Sequence, residues 1–161
     1  MPMQSPDDKA GLRRALGAFA TGVTIVTALG PDRQPVGFTA NSFTSVSLDP
    51  PLLLVCLAHT AASYGVFCCT DSFAVNVLEV GQEETARRFA SRGADKFGST
   101  PWKSGVMGAP LIDGSLARFD CAMDSRVTAG DHDILIGRVI GYSRHEGAAL
   151  LYHHGSFRTL S

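Results

Sequence analysis

Apolar positions change their spacing along this chain, and the changes divide it into elements. Leu12, Ala15, Leu16 and Phe19 share one face at helical spacing. Ser5-Pro6-Asp7-Asp8 precedes them: Ser5 suits the cap, Pro6 the first helical position, and the aspartates the positive end of the dipole. This predicts a packing helix that ends by Gly22, with Arg13 and Arg14 in solvent. Val23–Leu29 is β-branched and apolar and reads as a strand. Gly30-Pro31-Asp32 turns, and Pro35–Thr39 returns as a second strand. Leu52–Leu57 is apolar at every position, the pattern of a strand buried on both faces. Phe73–Leu78 reads as a strand and Gln82–Ala90 as a helix. Ser99–Gly108, punctuated by Gly, Ser and Pro and carrying Trp102, reads as a loop. Ala117–Val127 and Asp133–Tyr142 read as long strands, and Leu150–Tyr152 and Phe157–Leu160 as a final short pair. The expected fold is mainly β with α: a closed antiparallel barrel with helical cover. A flat sandwich fits the same strand pattern.

The stretch Gly37–Leu57 organises the chain. A run rich in hydroxyls, Thr39 to Ser47, leads through Asp49-Pro50-Pro51 into the apolar run. Its hydroxyls, the Asn41 amide and exposed backbone N–H groups offer a surface for an anion or a polar ring edge. A turn that merely presents a core strand is the competing reading. Downstream, Thr60 reads as an N-cap with Ser63 three residues later. A strand that feeds a helix N-terminus is a ready anion site, although capping alone explains both hydroxyls. Arg87-Arg88 near a helix end complements the dipole; a phosphate contact is the weaker alternative.

Composition narrows the class. The chain has 161 residues, 45% hydrophobic and 18% charged, which fits a single globular domain over residues 1–161. A formal net charge of -1 gives no reason to expect nucleic acid or an anionic membrane as partner. Cys56, Cys68, Cys69 and Cys121 contain no Cys-x-x-Cys pair, and Cys56 falls in an apolar run where a buried thiol is usual. Four reduced cysteines, no apolar signal core and no run of transmembrane length point to the cytoplasm. No Gly-x-Gly-x-x-Gly follows a strand, which argues against a Rossmann domain.

The pattern Gly-x-Thr-x-x-Ser-Phe-x-Ser-x-Ser-Leu-x-Pro-Pro from Gly37 to Pro51 resembles the signature of the short-chain flavin reductases. These are the small partners of two-component flavin monooxygenases. Gly130-Asp131-His132 is similar to that family's Gly-Asp-His motif, and the likeness runs from about Leu12 to Phe157. The resemblance implies an FMN-binding split barrel, an antiparallel Greek-key barrel, dimeric in most relatives. It implies an NAD(P)H:flavin oxidoreductase that uses FAD or FMN with NADH or NADPH and hands reduced flavin to a separate monooxygenase. For the flavin it implies contacts at Thr39, Ala40, Asn41, Ser42, Ser45, Val46, Ser47, Cys56, Ala58, Thr60, Ser63, Phe89, Lys96 and Phe97. Phe97 covers the ring or belongs to the core. Relatives often carry Gly-Arg-Tyr where this chain has Gly155-Ser156-Phe157, which removes a guanidinium and a hydroxyl from the nicotinamide side.

Hydride transfer asks the protein for positioning rather than acid–base chemistry, because the flavin and nicotinamide carry the electronics. No general-base pair is required. His132 is the candidate catalytic residue, between Asp131 and Asp133 at a turn. The resemblance sets it beside the nicotinamide; a surface histidine with carboxylate neighbours is the plain alternative. Metal is not expected: in a strand His132 and its aspartates face opposite ways, and His153 and His154 likewise diverge if extended. Two other functions share such a cradle, a flavin- or haem-binding barrel without enzymatic activity and a pyridoxamine-phosphate-oxidase-like enzyme.

Overall fold

One antiparallel sheet of seven strands supplies more than half of the buried hydrophobic core. The computed structural model describes residues 1–93 and 95–160. In chain order the elements are α1 (Lys9–Leu16), β1 (Thr21–Gly22), β2 (Thr24–Leu29), β3 (Pro35–Ala40), β4 (Thr44–Leu48), β5 (Pro51–Ala58), α2 (Tyr64–Phe67), β6 (Ser72–Val77), α3 (Glu83–Ala90), β7 (Trp102–Ser104), β8 (Pro110–Ile112), β9 (Ala117–Ala129), β10 (His132–Arg144), β11 (Leu151–His153) and β12 (Ser156–Arg158). The sheet runs β3-β2-β6-β9-β10-β5-β4. One continuous sheet excludes the two-layer sandwich. The expected closure is also corrected: β3 and β4 are edges that pair on one side only, so the barrel is split. Smaller sheets, β1-β11-β12 and β7-β8, flank it.

Several local expectations change for physical reasons. Asp8, not Ser5, caps α1, its carboxylate accepting from the Gly11 amide at 2.9 Å, and the helix stops at Gly17 rather than Gly22. The apolar face of α1 is not packed within the chain: Leu16 is 67% and Phe19 79% exposed. The hydroxyl-rich run forms strand β4 rather than a turn, because Thr44, Ser45, Ser47 and Leu48 pair with β5 across a bulge. β5 is buried on one face only. Leu53, Val55 and Leu57 enter the core, while Leu52, Leu54, Cys56 and Ala58 are half-buried, so the Cys56 thiol is not a core group. Part of the expected Ser99–Gly108 loop is the strand β7. His153 and His154 do not diverge. His154 takes a positive φ of 49° at the β11–β12 turn, and the two ring centres lie 4.1 Å apart with the planes tilted by 50°.

The core has two parts. Val26, Val55, Leu57, Phe67, Phe73, Val75 and Leu135 fill the sheet interior. Val23, Ile25, Leu78, Ala86, Phe89, Ile112 and Leu150 join the sheet to α3 and the C-terminal hairpin. Buried Asn76 ties β8 to the paired strands β2 and β6: its amide donates to the Ile25 carbonyl at 3.0 Å and accepts from the Ile112 amide at 2.8 Å. Gly137 is required by space, since a Cβ there would lie 2.6 Å from Phe73 Cζ and 2.9 Å from Cys121 Cβ. The four cysteines are free. Burial, with the neighbouring Asp120 carboxylate, pushes the Cys121 thiol up to about 12. Among the described residues, no helix is long and apolar enough to cross a membrane.

Candidate functional site

The groove at the end of β3, β5 and β10 is built by register and by a few side-chain ties. β10 lies beside β5 with His132 opposite Ala58 and Ile134 opposite Cys56, so the β9–β10 turn meets the end of β5. The Thr39 hydroxyl donates to the Ala86 carbonyl at 2.6 Å and fastens β3 to α3. The Ser42 hydroxyl accepts from the Cys56 amide at 2.9 Å and returns its proton toward the Cys56 carbonyl at 3.3 Å. Those two hydroxyls therefore serve the fold. Gly37 lets α3 approach, because a Cβ there would come within 3.0 Å of the Phe89 ring.

Two cavities meet along this edge and share Thr39, Ala40, Asn41, Ala90 and Ser91 as walls. The smaller, about 380 Å³, is also lined by Ser42, Cys56, Ala58, Thr60, Ser63, Phe89, Lys96, Arg92 and His132. Eleven of the expected site residues thus fall together: Thr39, Ala40, Asn41, Ser42, Cys56, Ala58, Thr60, Ser63, Phe89, Lys96 and His132. Four do not. Ser45, Val46 and Ser47 lie on the edge strand β4, outside the groove walls, because this part of the hydroxyl-rich run pairs with β5. Phe97 packs edge-on against Phe89 at 4.9 Å, with Trp102 at 6.2 Å, and borders a neighbouring depression, so its aromatic surface serves the second core cluster.

Polar capacity in the smaller arm is concentrated on a few groups. Among the described residues, the Asn41 amide and the Thr60 and Ser63 hydroxyls make no hydrogen bond inside the chain. Thr60 is not the helix cap: Ser63 takes that position, without a side-chain cap bond, and α2 is a single turn. Two cations stand near them. Arg92 donates to the Thr60 carbonyl at 3.0 Å, and Lys96 donates to the Phe89 carbonyl at 3.2 Å. Burial pulls the Lys96 ammonium below its ordinary range. His132 closes the mouth with its Nδ1 against the Asp131 carboxylate at 2.7 Å, a contact that also holds Asp131 below the usual carboxylate range. Its Nε2 has no partner among the described residues.

Behind this wall a buried carboxylate gathers three elements. Asp133 accepts from His59 Nε2 at 2.8 Å, from the Tyr64 hydroxyl at 2.8 Å and from the Thr128 hydroxyl at 3.1 Å. The His59 bond, then those from Tyr64 and Thr128, keep Asp133 below the ordinary carboxylate range against the effect of its burial. The same bond raises Tyr64. The network fixes the rim segment Ala58–Ser63 against the hairpin that carries His132.

The larger arm, about 810 Å³, is lined by Val23, Arg87, Tyr152, Gly155, Ser156 and Phe157 in addition to the shared walls. Sequence reasoning missed Arg92, Tyr152 and the Asp133 network. Arg92 carried one usable signal, a cation between a helix end and Gly93, which has a positive φ of 73°. The other two carried none, since strand pairing alone brings them to the site.

Comparison with known proteins gives this groove a context. Residues 16–161 match the family described as flavin reductase like domain, and the chain belongs to that family. It is 45% identical to an NADH-dependent FAD reductase of Streptomyces globisporus, over 95% of this chain and 86% of that protein. It is 46% identical to the reductase component of a flavin-dependent trigonelline monooxygenase of Acinetobacter baylyi, over 92% of this chain and 48% of that one. Its fold superimposes on the Streptomyces globisporus NADH:FAD oxidoreductase solved with NAD and FAD fragments, with a TM-score of 0.94 and 43% identity, covering 100% of this chain and 98% of that one. The chain spans about half the length of two curated relatives that it matches, 49% for one from Rhizobium meliloti and 48% for the one from Acinetobacter baylyi.

Proposed function

We propose that this member of the flavin reductase-like family is an NAD(P)H:flavin oxidoreductase that supplies reduced FAD or FMN to a separate monooxygenase. The observation that carries the reading is the smaller arm: an Asn amide and two hydroxyls left unengaged by the fold, with two cations beside them. That donor set fits a flavin. In this reading Thr60, Ser63, Arg92 and Lys96 hold its phosphate. Thr39, Ala40, Asn41, Ser42, Cys56 and Ala58 border the ring, Phe89 backs it, and His132 stands at the open mouth toward the nicotinamide. The bound flavin and nicotinamide supply the electrons and the hydride, and the protein supplies position and electrostatics. Asp131 holds the imidazole through Nδ1, which leaves Nε2 to orient a polar group at the mouth. Ser45, Val46, Ser47 and Phe97 have no assigned contact within one chain.

The exposed Leu12, Leu16 and Phe19 support a homodimer that covers α1, because a contiguous apolar face costs free energy in water. A cytoplasmic setting is supported by the four free cysteines, and one domain over residues 1–161 by the continuous sheet. Reduced flavin is read as diffusing to its monooxygenase, so hydroxylation is expected to survive when a flavin-permeable membrane separates the two proteins.

Purified protein is expected to oxidise NADH or NADPH only when FAD or FMN is present, measured by loss of nicotinamide absorbance. No flavin-dependent rate with either nucleotide would sink the proposal. A bound flavin that NADH and NADPH fail to bleach anaerobically would point instead to a binding barrel.

A further inference from the structure

The larger arm of the groove carries fewer charges than the smaller one, which holds Arg92 and Lys96. Among the described residues that line it, Arg87 is the one that carries a full charge. Arg87 comes from α3, whose buried face is made by Ala86 and Phe89. The guanidinium therefore emerges at the groove side of the helix, with its Cζ 4.8 Å from the centre of the Phe157 ring. Phe157 meets Tyr152 edge-on at 5.4 Å, so a cation and two aromatic rings form one shelf. A shelf of this kind suits a ligand that is planar at one point and anionic at another.

The guanidinium is not free. Its Nη2 lies 2.7 Å from Glu83 Oε1, one helical turn earlier. Both side chains remain largely in water, Arg87 at 64% and Glu83 at 46% exposure. An exposed pair of this kind contributes little to stability. Its electrostatic effect on a third charge is another matter. The Glu83 carboxylate cancels part of the attraction that Arg87 offers to an anion in the groove, and competes for the same N–H donors.

We infer that Arg87 is the phosphate-holding group for the nicotinamide dinucleotide in the larger arm, and that Glu83 weakens its grip. The identity of the ligand rests on the reductase reading above; the charge and shape of the arm do not. Glu83 leaves the dinucleotide loosely held, which suits a groove that must release the oxidised nucleotide after each turnover. The smaller arm, with Lys96 and Arg92, is lined by neither member of this pair.

ADP-ribose is the probe of choice, because it carries the pyrophosphate and an aromatic ring and cannot donate hydride. Titration of the full chain with ADP-ribose and steady-state KM values for NADH would be compared for wild type, Arg87→Gln, Arg87→Lys and Glu83→Gln. Arg87→Gln should weaken ADP-ribose and raise the NADH KM by roughly tenfold, on the scale of one lost charge-assisted contact near the surface. Arg87→Lys should recover part of that loss. Glu83→Gln should move both quantities the other way, by about threefold. Flavin affinity should stay constant throughout, and the salt dependence of ADP-ribose binding should flatten in Arg87→Gln. The inference is overturned if Arg87→Gln leaves both within about twofold. It is also overturned if Glu83→Gln weakens binding as Arg87→Gln does, since the pair would then only be holding the helix. Absence of ADP-ribose binding by the wild type overturns it as well. If the wild type binds ADP-ribose but shows no flavin-dependent NADH oxidation, the reductase reading fails, and the Arg87 assignment is judged by the ADP-ribose titrations alone.

Discussion

The two arms of the groove are made in different ways. The smaller arm rests on the main sheet, where β3, β5 and β10 are fixed by register and the hydroxyls of Thr39 and Ser42 are consumed in holding the walls. Its binding capacity lies in the few polar groups that the fold leaves over. The larger arm rests on α3 and the short β11–β12 hairpin, and its character comes from Arg87 and two aromatic rings. One arm is walled mainly by paired backbone, and the other mainly by the side chains of Arg87, Tyr152 and Phe157. A ligand that must be held and one that must come and go would find corresponding surfaces.

Phe89 is where the contrast can be broken most severely. It is buried in the second core cluster and also backs the smaller arm. Phe89→Ala should cost about 3–5 kcal/mol of stability. Because Ala90 and Ser91 beside it line both arms, it should weaken flavin and ADP-ribose together, as read by thermal unfolding and two titrations. Loss of only one ligand would show that the arms do not share this support.

Replacing Thr60 and Ser63 together with Ala tests the smaller arm alone. Each lost bond to a charged phosphate is worth about 1.5–3 kcal/mol, so with two bonds removed FMN and FAD affinity should fall by roughly a hundredfold or more. Riboflavin, which has no phosphate, should hardly respond. Equal weakening of all three flavins would mean that these hydroxyls shape the rim instead.

His132→Ala probes the junction. If His132 orients the nicotinamide, flavin affinity holds while NADH-dependent reduction in anaerobic stopped flow falls by more than the roughly twofold expected of an inert surface change. Poor flavin binding with normal reduction once loaded would move His132 to the other arm.

The smallest expected effect is a pH dependence carried by Asp133. Its folded-state pKa is depressed by donors from His59, Tyr64 and Thr128, so its contribution to stability is present above the unfolded carboxylate value of about 3.9. That contribution is lost as pH falls through the lower folded value. Asp133→Asn should therefore be less stable than wild type near neutral pH, and the gap should narrow below about pH 4, as followed by circular dichroism. A gap that stays constant with pH would mean that the carboxylate's charge plays no part in holding the rim.

Much of the frame could be read from residues alone. The two long runs became β9 and β10, the β-branched run became β2, and the segment from Gly37 to Leu57 supplied most of β3, all of β4, most of β5 and one wall of the smaller arm. These succeed because strand periodicity and turn chemistry are local properties. What local properties cannot report is which partner uses up a polar group. Thr39, Ser42, Thr60 and Ser63 look alike in sequence. Only packing assigns the first two to Ala86 and Cys56 and leaves the last two unengaged. Likewise the apolar stripe of α1 predicts burial, yet the chain does not cover it. Register likewise sends Asp133 inward to a buried network and leaves His132 at the groove mouth, though the two are neighbours in sequence. Arg87 could be read as a dipole-complementing cation, but its place above Phe157 depends on two elements distant along the chain coming together. The amino-acid sequence thus determined the elements and the family, and tertiary contact alone decided which charges and hydroxyls remained available to a ligand.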